Sequence, residues 1–222
     1  MPTPYDFTTL ERAAARLKVP DTDAELPHLL TAASQALADW LGYPAHLREG
    51  AEETVPSEGG RTLFLRAGQV RRVLRVEVDG AEVPADEYFL QRPRLGHLTR
   101  RQGRWPFTGE WTAGVSPQPL TAQDTGQVRV TFDSGWRTPG QVALALANSP
   151  TSTLTSELPS VLEEAVLMTL TALYRVAGRD LNVLSRSTGG ASVSWRADAS
   201  AVPLLAQQLA QPYFKALRRG TP

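Results

Sequence analysis

The chain has 222 residues, enough to bury a real core as one domain or one domain with an insert. Its 23 basic and 23 acidic side chains leave no global electrostatic pull toward nucleic acid or membrane. It has no cysteine, which excludes disulfides, thiolate metal sites and a Cys nucleophile.

The first helix is predicted over residues 9–18. Thr8 and Glu11 stand at capping-box spacing, where hydroxyl and carboxylate satisfy exposed N–H groups reciprocally. Leu10, Ala13, Ala14 and Leu17 form its apolar stripe, and Pro20 stops it. Thr22 and Glu25 repeat the capping spacing before a second, longer helix. There Leu26, Leu29, Leu30, Ala33, Leu37, Trp40 and Leu41 recur at helical period. Gly42 fits the position just past its end, with Pro44 following.

Residues 44–60 are polar and acidic and read as a loop. Strand signals then begin at 62–65. The run 70–79 alternates, with Val70, Leu74, Val76 and Val78 on one face and Arg71, Arg75 and Glu77 on the other. Arg72 falls on the apolar face, so the strand begins or bends near it. Asp79-Gly80 predicts a hairpin returning through 81–83. Short strands follow at 88–90 and 97–99, joined through Pro93 and Gly96. Residues 127–132 alternate again and end in Asp133-Ser134-Gly135-Trp136. Residues 101–126 read as a long loop with aromatics, Trp105, Phe107 and Trp111, partly pinned to the sheet. Residues 137–157 are polar apart from the apolar run 142–147.

A third long helix is predicted over 158–179. Pro159 fits its first turn, and Ser160 with Glu163 offers an alternative capping box. Val161, Ala165, Met168, Ala172 and Val176 form one stripe. Leu162, Val166, Leu167, Leu170 and Leu173 widen it almost all round, so the helix is expected to be buried on several sides. The tail after Gly178 is less regular. Residues 187–190 form a turn, 191–195 alternate, and a short helix starts near Pro203. Pro212 interrupts it before Tyr213, Phe214, Lys215, Ala216, Leu217, Arg218 and Arg219.

The search for chemistry is mostly negative. His28, His46 and His97 lie on unrelated elements, without metal-ligand spacing. Glu163 and Glu164 are adjacent on a helix and point about 100° apart, so they do not converge on one substrate. No nucleophile elbow, phosphate-binding glycine loop or dinucleotide fingerprint occurs. The expectation is no enzyme, no cofactor and no metal. No apolar-rich run is long enough to span a bilayer, and the first residues have no apolar core of signal-peptide length. The expectation is therefore a soluble chain not exported by a classical signal.

Charge is segregated along the chain. Residues 1–60 carry four basic and ten acidic side chains, whereas residues 61–110 carry ten basic and six acidic. Such polarity suits head-to-tail or stacked packing; scattered solvated charge is the other reading. Arg71 and Arg75 form a candidate basic face, with Arg72 beside them and a second group at Arg92, Arg94, Arg100, Arg101 and Arg104. These arginines suit phosphates, a solvated face, or a contact between subunits.

The ordered set of motifs carries a family resemblance. The opening, Thr8-x-x-Glu11 with Leu17-Lys18-Val19, Asp23, Leu30, Ala33-Ser34 and Trp40-Leu41-Gly42, resembles that of tailed-bacteriophage head–tail connector (adaptor) proteins. The run 73–80, then Tyr88, Gly96-His97-Leu98, Trp105, 128–132 and Gly135-Trp136, is similar to the β part of their larger members. Leu158-Pro159 with Ala165 resembles their C-terminal helix, and 187–195 followed by 204–213 resembles their tail. Residues 101–126 and 137–157 depart from the pattern in length.

The resemblance implies a structural virion protein of the capsid–tail neck, made in the bacterial cytoplasm. It implies a homo-oligomeric ring, commonly twelve-fold, beneath the portal protein. Such a ring extends the DNA channel, without sequence-specific binding, and docks a stopper or tail-completion protein. On that analogy Tyr213, Phe214, Arg218 and Arg219 are the candidate portal-docking residues; a simple packed C-terminal helix is the alternative. No membrane partner is implied.

The expected fold class is α+β. A helical bundle (1–60 and 137–180) holds a central β-rich insertion (61–136) and is followed by an extended C-terminal tail with a short helix (181–222). The rival readings are another neck or tail-completion protein, a non-catalytic DNA-binding accessory protein, and a small enzyme with a site assembled from distant residues.

Overall fold

A computed structural model describes residues 3–107, 126–176 and 201–215, and the backbone alone at 185–188 and 191–194. Among these residues the chain is α+β, with five α-helices and antiparallel sheets. It divides into two compact units, Met1–Leu41 with Arg137–Phe214, and Gly42–Trp136 with Lys215–Pro222.

The first unit contains α1 (Leu10–Leu17) and α2 (Leu26–Leu41). Thr9, not Thr8, caps α1, its hydroxyl accepting from the Arg12 N–H. Thr8 is buried instead, and its hydroxyl donates to Glu163 Oε1 at 2.7 Å. A distant carboxylate thus claims the hydroxyl that sequence spacing assigned to the cap. Lys18 closes α1 in a left-handed conformation, two residues before Pro20. Helix α2 begins at Leu26, so Glu25 precedes the helix and does not fill the third helical position of a Thr22 box. The Glu25 N–H is held by Asp23 Oδ1 at 2.9 Å. Leu26, Leu30, Ala33, Leu37 and Leu41 are buried along one face of α2, with Trp40 half-buried. Each such leucine contributes roughly 1.5–3 kcal/mol relative to leaving it in water.

Two further helices come from the segment 137–176. Residues 137–157, read as polar apart from the apolar run 142–147, contain α3 (Pro139–Asn148), which includes that run. Its start has a complete capping box: the Thr138 hydroxyl accepts from the Gln141 N–H, and the Gln141 side chain accepts from the Thr138 N–H. Gly140 lets α3 dock. Its N–H donates to the Asp6 carbonyl, and a Cβ there would meet the Thr3 carbonyl oxygen at 2.0 Å. Helix α4 (Ser160–Val176) packs against α2. The N–H groups of Leu162 and Glu163 turn back to the Pro159 carbonyl, so Ser160 lies inside the helix and caps nothing. Its buried arc is Leu162, Ala165, Val166, Leu167, Thr169 and Leu170. Val161 and Val176 are exposed at its two ends, so burial is narrower than the apolar count implies.

The unit also holds a backbone hairpin, β8 (Ser185–Thr188) with β9 (Ala191–Ser194), and then α5 (Leu204–Ala210), which packs on α4.

The second unit contains two antiparallel sheets. One has the order β1-β7-β3-β4, from Arg48–Val55, Val128–Ser134, Val70–Val78 and Ala81–Glu82. The other has the order β2-β6-β5, from Thr62–Phe64, His97–Arg100 and Tyr88–Arg92. Strand β1 lies inside the stretch read as a loop. Ala51 and Val55 face the core, Glu49 and Glu52 are exposed, and Glu53, half-buried on the side of Ala51 and Val55, accepts the Arg66 N–H, an alternation masked by so many glutamates. Asp79 and Gly80 both adopt positive φ, forming the two-residue turn of the β3–β4 hairpin where the sequence placed it.

Strand β3 departs from simple alternation. Two β-bulges, at Val70/Arg72 and Val73/Arg75, each insert one extra residue opposite β7. Leu74, expected on the core face, is therefore 44% exposed, and Val73 packs on the core in its place. The core is built from Val55, Leu63, Leu65, Val76, Leu98, Trp105, Val128, Val130 and Phe132. Trp105, expected to be only pinned to the sheet from a loop, is 1% exposed. Trp111 lies outside the described residues.

Candidate interaction surfaces

Strand β3 supplies the first candidate. Arg71 and Arg75, expected to share a face, are separated by the second bulge. Arg75 pairs with Glu77 at 2.6 Å and Glu82 at 3.3 Å. The neighbouring Arg72 donates from Nε to Asp133 Oδ2. Asp133 is 5% exposed on β7, the strand between β1 and β3. Its other oxygen accepts the Gly50 N–H at 2.8 Å, at the bulge of β1. One carboxylate thus ties both flanking strands where each carries an extra residue. Burial acts to raise the Asp133 carboxyl. The Gly50 N–H and the Arg72 guanidinium outweigh it, with Arg71 adding its charge, and hold the group below the usual carboxylate range. Much of the positive charge on this face is answered by acids of the same unit.

The C-terminal segment supplies the second. Ala206 and Ala210 of α5 are buried, whereas Leu204 is 69% exposed and Leu205 56%. A 3-10 turn over Gln211–Tyr213 follows, with Tyr213 half-buried. Phe214 is exposed on one side, and its ring lies 5.0 Å from that of Trp40. Arg218 and Arg219 lie outside the described residues. In the second unit the buried Lys215 donates from Nζ to the carbonyls of Leu65 and Ala67, the latter at 2.8 Å. Burial lowers its pKa to about 8, with Glu53 acting the other way.

The acid pair on α4 is structural. Glu163 accepts from Thr8 and from Arg12 at 2.9 Å, and Glu164 takes Arg16 at 2.6 Å. Arg12 and Arg16 are one helical turn apart on α1, so adjacent acids of α4 each meet their own arginine. His28 is exposed. His46 is lowered below its ordinary value by burial and then by Arg48, and His97 stands edge-on to Phe64 with centroids 4.8 Å apart. Among the described residues no group of three or more His, Cys, Asp or Glu has the arrangement to hold a metal ion. A cavity of about 130 Å³ in the first unit is lined mainly by apolar groups, Leu10, Leu30, Pro139 and Ala143 among them. Its acid, Asp6, already accepts from Thr3 and Thr31.

Sequence reasoning did not find Asp133 or Lys215. The Gly50 inside β1 is a bulge signal, but nothing local points to Asp133, whose partners are 61 and 83 positions away. No local signal marks Lys215, whose partners are about 150 positions away.

The described residues present exposed leucines and guanidiniums on an α+β framework. Residues 8–112 match the family described as "Head completion protein". Similar solved structures are chains from the neck of a native gene transfer agent particle with C12 symmetry, from the virion of that native particle, and from the neck of the empty particle with C6 symmetry. Their TM-scores are 0.54, 0.53 and 0.52, at 16%, 16% and 17% identity. Each match covers 100% of this chain and 96% of the other. At that identity they show the fold. No curated protein matches. The chain is thus similar to phage head–tail connector and completion proteins, the family its motifs resemble.

Proposed function

We infer that this chain is a structural neck protein that assembles as a ring under the portal, extends the DNA channel and docks the stopper or tail. The observation that carries the reading is the agreement of two comparisons. The head completion match spans residues 8–112, and the fold likeness to neck chains spans the whole length. The neck assemblies containing those chains were determined with C12 and C6 symmetry, which supports a ring and, by analogy, the twelve-fold one. On this reading the helical segments form a body, the β-rich second unit is an insertion into it, and the protein performs no catalytic step.

The C-terminal segment is the portal-docking element in this proposal. Leu204, Leu205 and Phe214 offer apolar area that the first unit leaves in water, and Arg218 and Arg219 add positive charge. Aromatic anchors beside arginines are the side chains that dominate protein interfaces. The test is co-purification of the chain with the portal protein of its own particle. Full-length protein is expected to co-purify, and a truncation ending before Pro203 to lose at least about tenfold in affinity, about 1.4 kcal/mol. A truncation that binds as well as full length removes the docking role from this segment. Failure of the full-length protein to bind removes the neck reading itself.

A further inference from the structure

Over residues 201–215 the C-terminal segment is held at regular points along its length. Val202, Ala206 and Ala210 are buried, four residues apart, so one face of α5 is covered by the first unit. The Gln207 side chain donates to the Val202 carbonyl at 2.7 Å and ties the start of the helix. The Phe214 N–H closes the 3-10 turn on the Gln211 carbonyl. The next residue, Lys215, is buried in the second unit, where its ammonium donates to the carbonyls of Leu65 and Ala67.

Those two carbonyls form a seat with supports of its own. Leu65 and Ala67 are buried in the core of the second unit. The Leu65 N–H donates to the Gly96 carbonyl at 3.0 Å, and the Gln69 N–H to the Arg94 carbonyl at 3.2 Å. A Cβ at Gly96 would meet the Ala67 carbonyl oxygen at 2.6 Å, so the turn before β6 backs the seat closely. Glu53, the acid whose charge Lys215 feels, spends its carboxylate on the Arg66 N–H. The ammonium is thus bound by backbone carbonyls. A methionine would fill the same space without the cost of burying a charge. What the ammonium adds is direction. Apolar burial has no preferred orientation, whereas two convergent carbonyls accept one placement of the chain.

We propose that Lys215 is the positioning residue of the C-terminal docking segment. Its ammonium, set on the Leu65 and Ala67 carbonyls, keeps the end of that segment ordered before the portal arrives. Arg218 and Arg219, three and four residues further on, then start from a fixed point. A segment already ordered loses less conformational entropy when it docks. The proposal rests on the docking role inferred above, but the seat belongs to the free chain and is read there separately.

The chain has no cysteine, so Lys215→Cys places a single thiol at the seat. Aminoethylation of that thiol, in urea before refolding, restores an ammonium on a side chain of the same number of atoms. Carbamidomethylation adds bulk without charge. Hydrogen exchange of the free chain at pH 7 reads the seat at the Phe214 and Gln69 amides, and affinity for the portal protein of its own particle reads docking. In K215C both amides are expected to exchange at least about fivefold faster, and portal affinity to fall at least about threefold. Aminoethylation is expected to restore both readings, and carbamidomethylation neither. Lys215→Met, which keeps an apolar stem in place, is expected to behave like the carbamidomethylated protein. Unchanged exchange in K215C, or equal rescue by both reagents, overturns the positioning role. Exchange that responds as expected while portal affinity stays the same in every form overturns the link to docking. A wild-type chain that binds no portal removes the neck reading, and the docking role of Lys215 with it, whatever the exchange shows.

Discussion

Asp133 directs one carboxylate oxygen to the β1 bulge and the other to the β3 bulge, so two irregular strands are registered by one side chain. Asp133→Asn keeps the shape and removes the charge. It is expected to cost about 1–3 kcal/mol, because both donors lose an ionised acceptor. The folded-state value lies below the unfolded 3.8. The stabilisation is therefore complete above that pH and is lost as pH falls through the folded-state value. Urea unfolding from pH 7 down to pH 3 checks this: the gap between wild type and D133N should narrow in acid. Lys215 runs the other way. The unfolded chain keeps the lysine proton up to about its ordinary 10.5, and the folded chain only to about 8. Unfolding takes up a proton between those values, so wild-type stability rises there with pH, by at most about 3 kcal/mol. Lys215→Met lacks that rise, and the difference between the two proteins measured from pH 7 to 10.5 should move in favour of wild type.

At the scale of elements, β3 and α3 decide how the units are built. If the bulges set the face of β3, Leu74→Ser stays within about 0.5 kcal/mol of wild type, as for an exposed site. Val76→Ser, on the core side, costs about 2 kcal/mol or more. Equal costs in denaturant melts would contradict the register described above. Gly140→Ala forces a methyl onto the Thr3 carbonyl oxygen and is expected to destabilise by about 1–3 kcal/mol. The helices α1, α2 and α4 were legible because their apolar residues recur at 3.6 and their ends carry turn chemistry, Pro20, Gly42 and Pro159. The Asp79-Gly80 hairpin was legible for the same local reason. Strand β1 was not, because its inward residues are one alanine and one valine among glutamates. The face of β3 was not, because alternation assumes no extra residue and this strand has two. Helix α3 had a readable start in Thr138-Pro139-x-Gln141, outweighed by the Ser/Thr-rich stretch behind it. Of the candidate sites, Phe214 was named from the sequence, whereas the exposure of Leu204 and Leu205 depends on how α5 packs. The pairing of Arg72 with Asp133 depends on a partner 61 positions away in sequence.

At the scale of the whole molecule, the account rests on assembly. Identical subunits that meet through two different surfaces close into a ring when the rotation between neighbours closes. Along the sequence charge is segregated, with four basic and ten acidic side chains over residues 1–60 and ten basic and six acidic over 61–110. The leucines at the start of α5 leave apolar area in solvent. The most direct measurement is electron microscopy of the purified chain mixed with the portal protein of its own particle. The account predicts class averages in which a closed ring of this chain sits coaxially on the portal. A chain that stays monomeric beside intact portals, at every concentration tried, would contradict it.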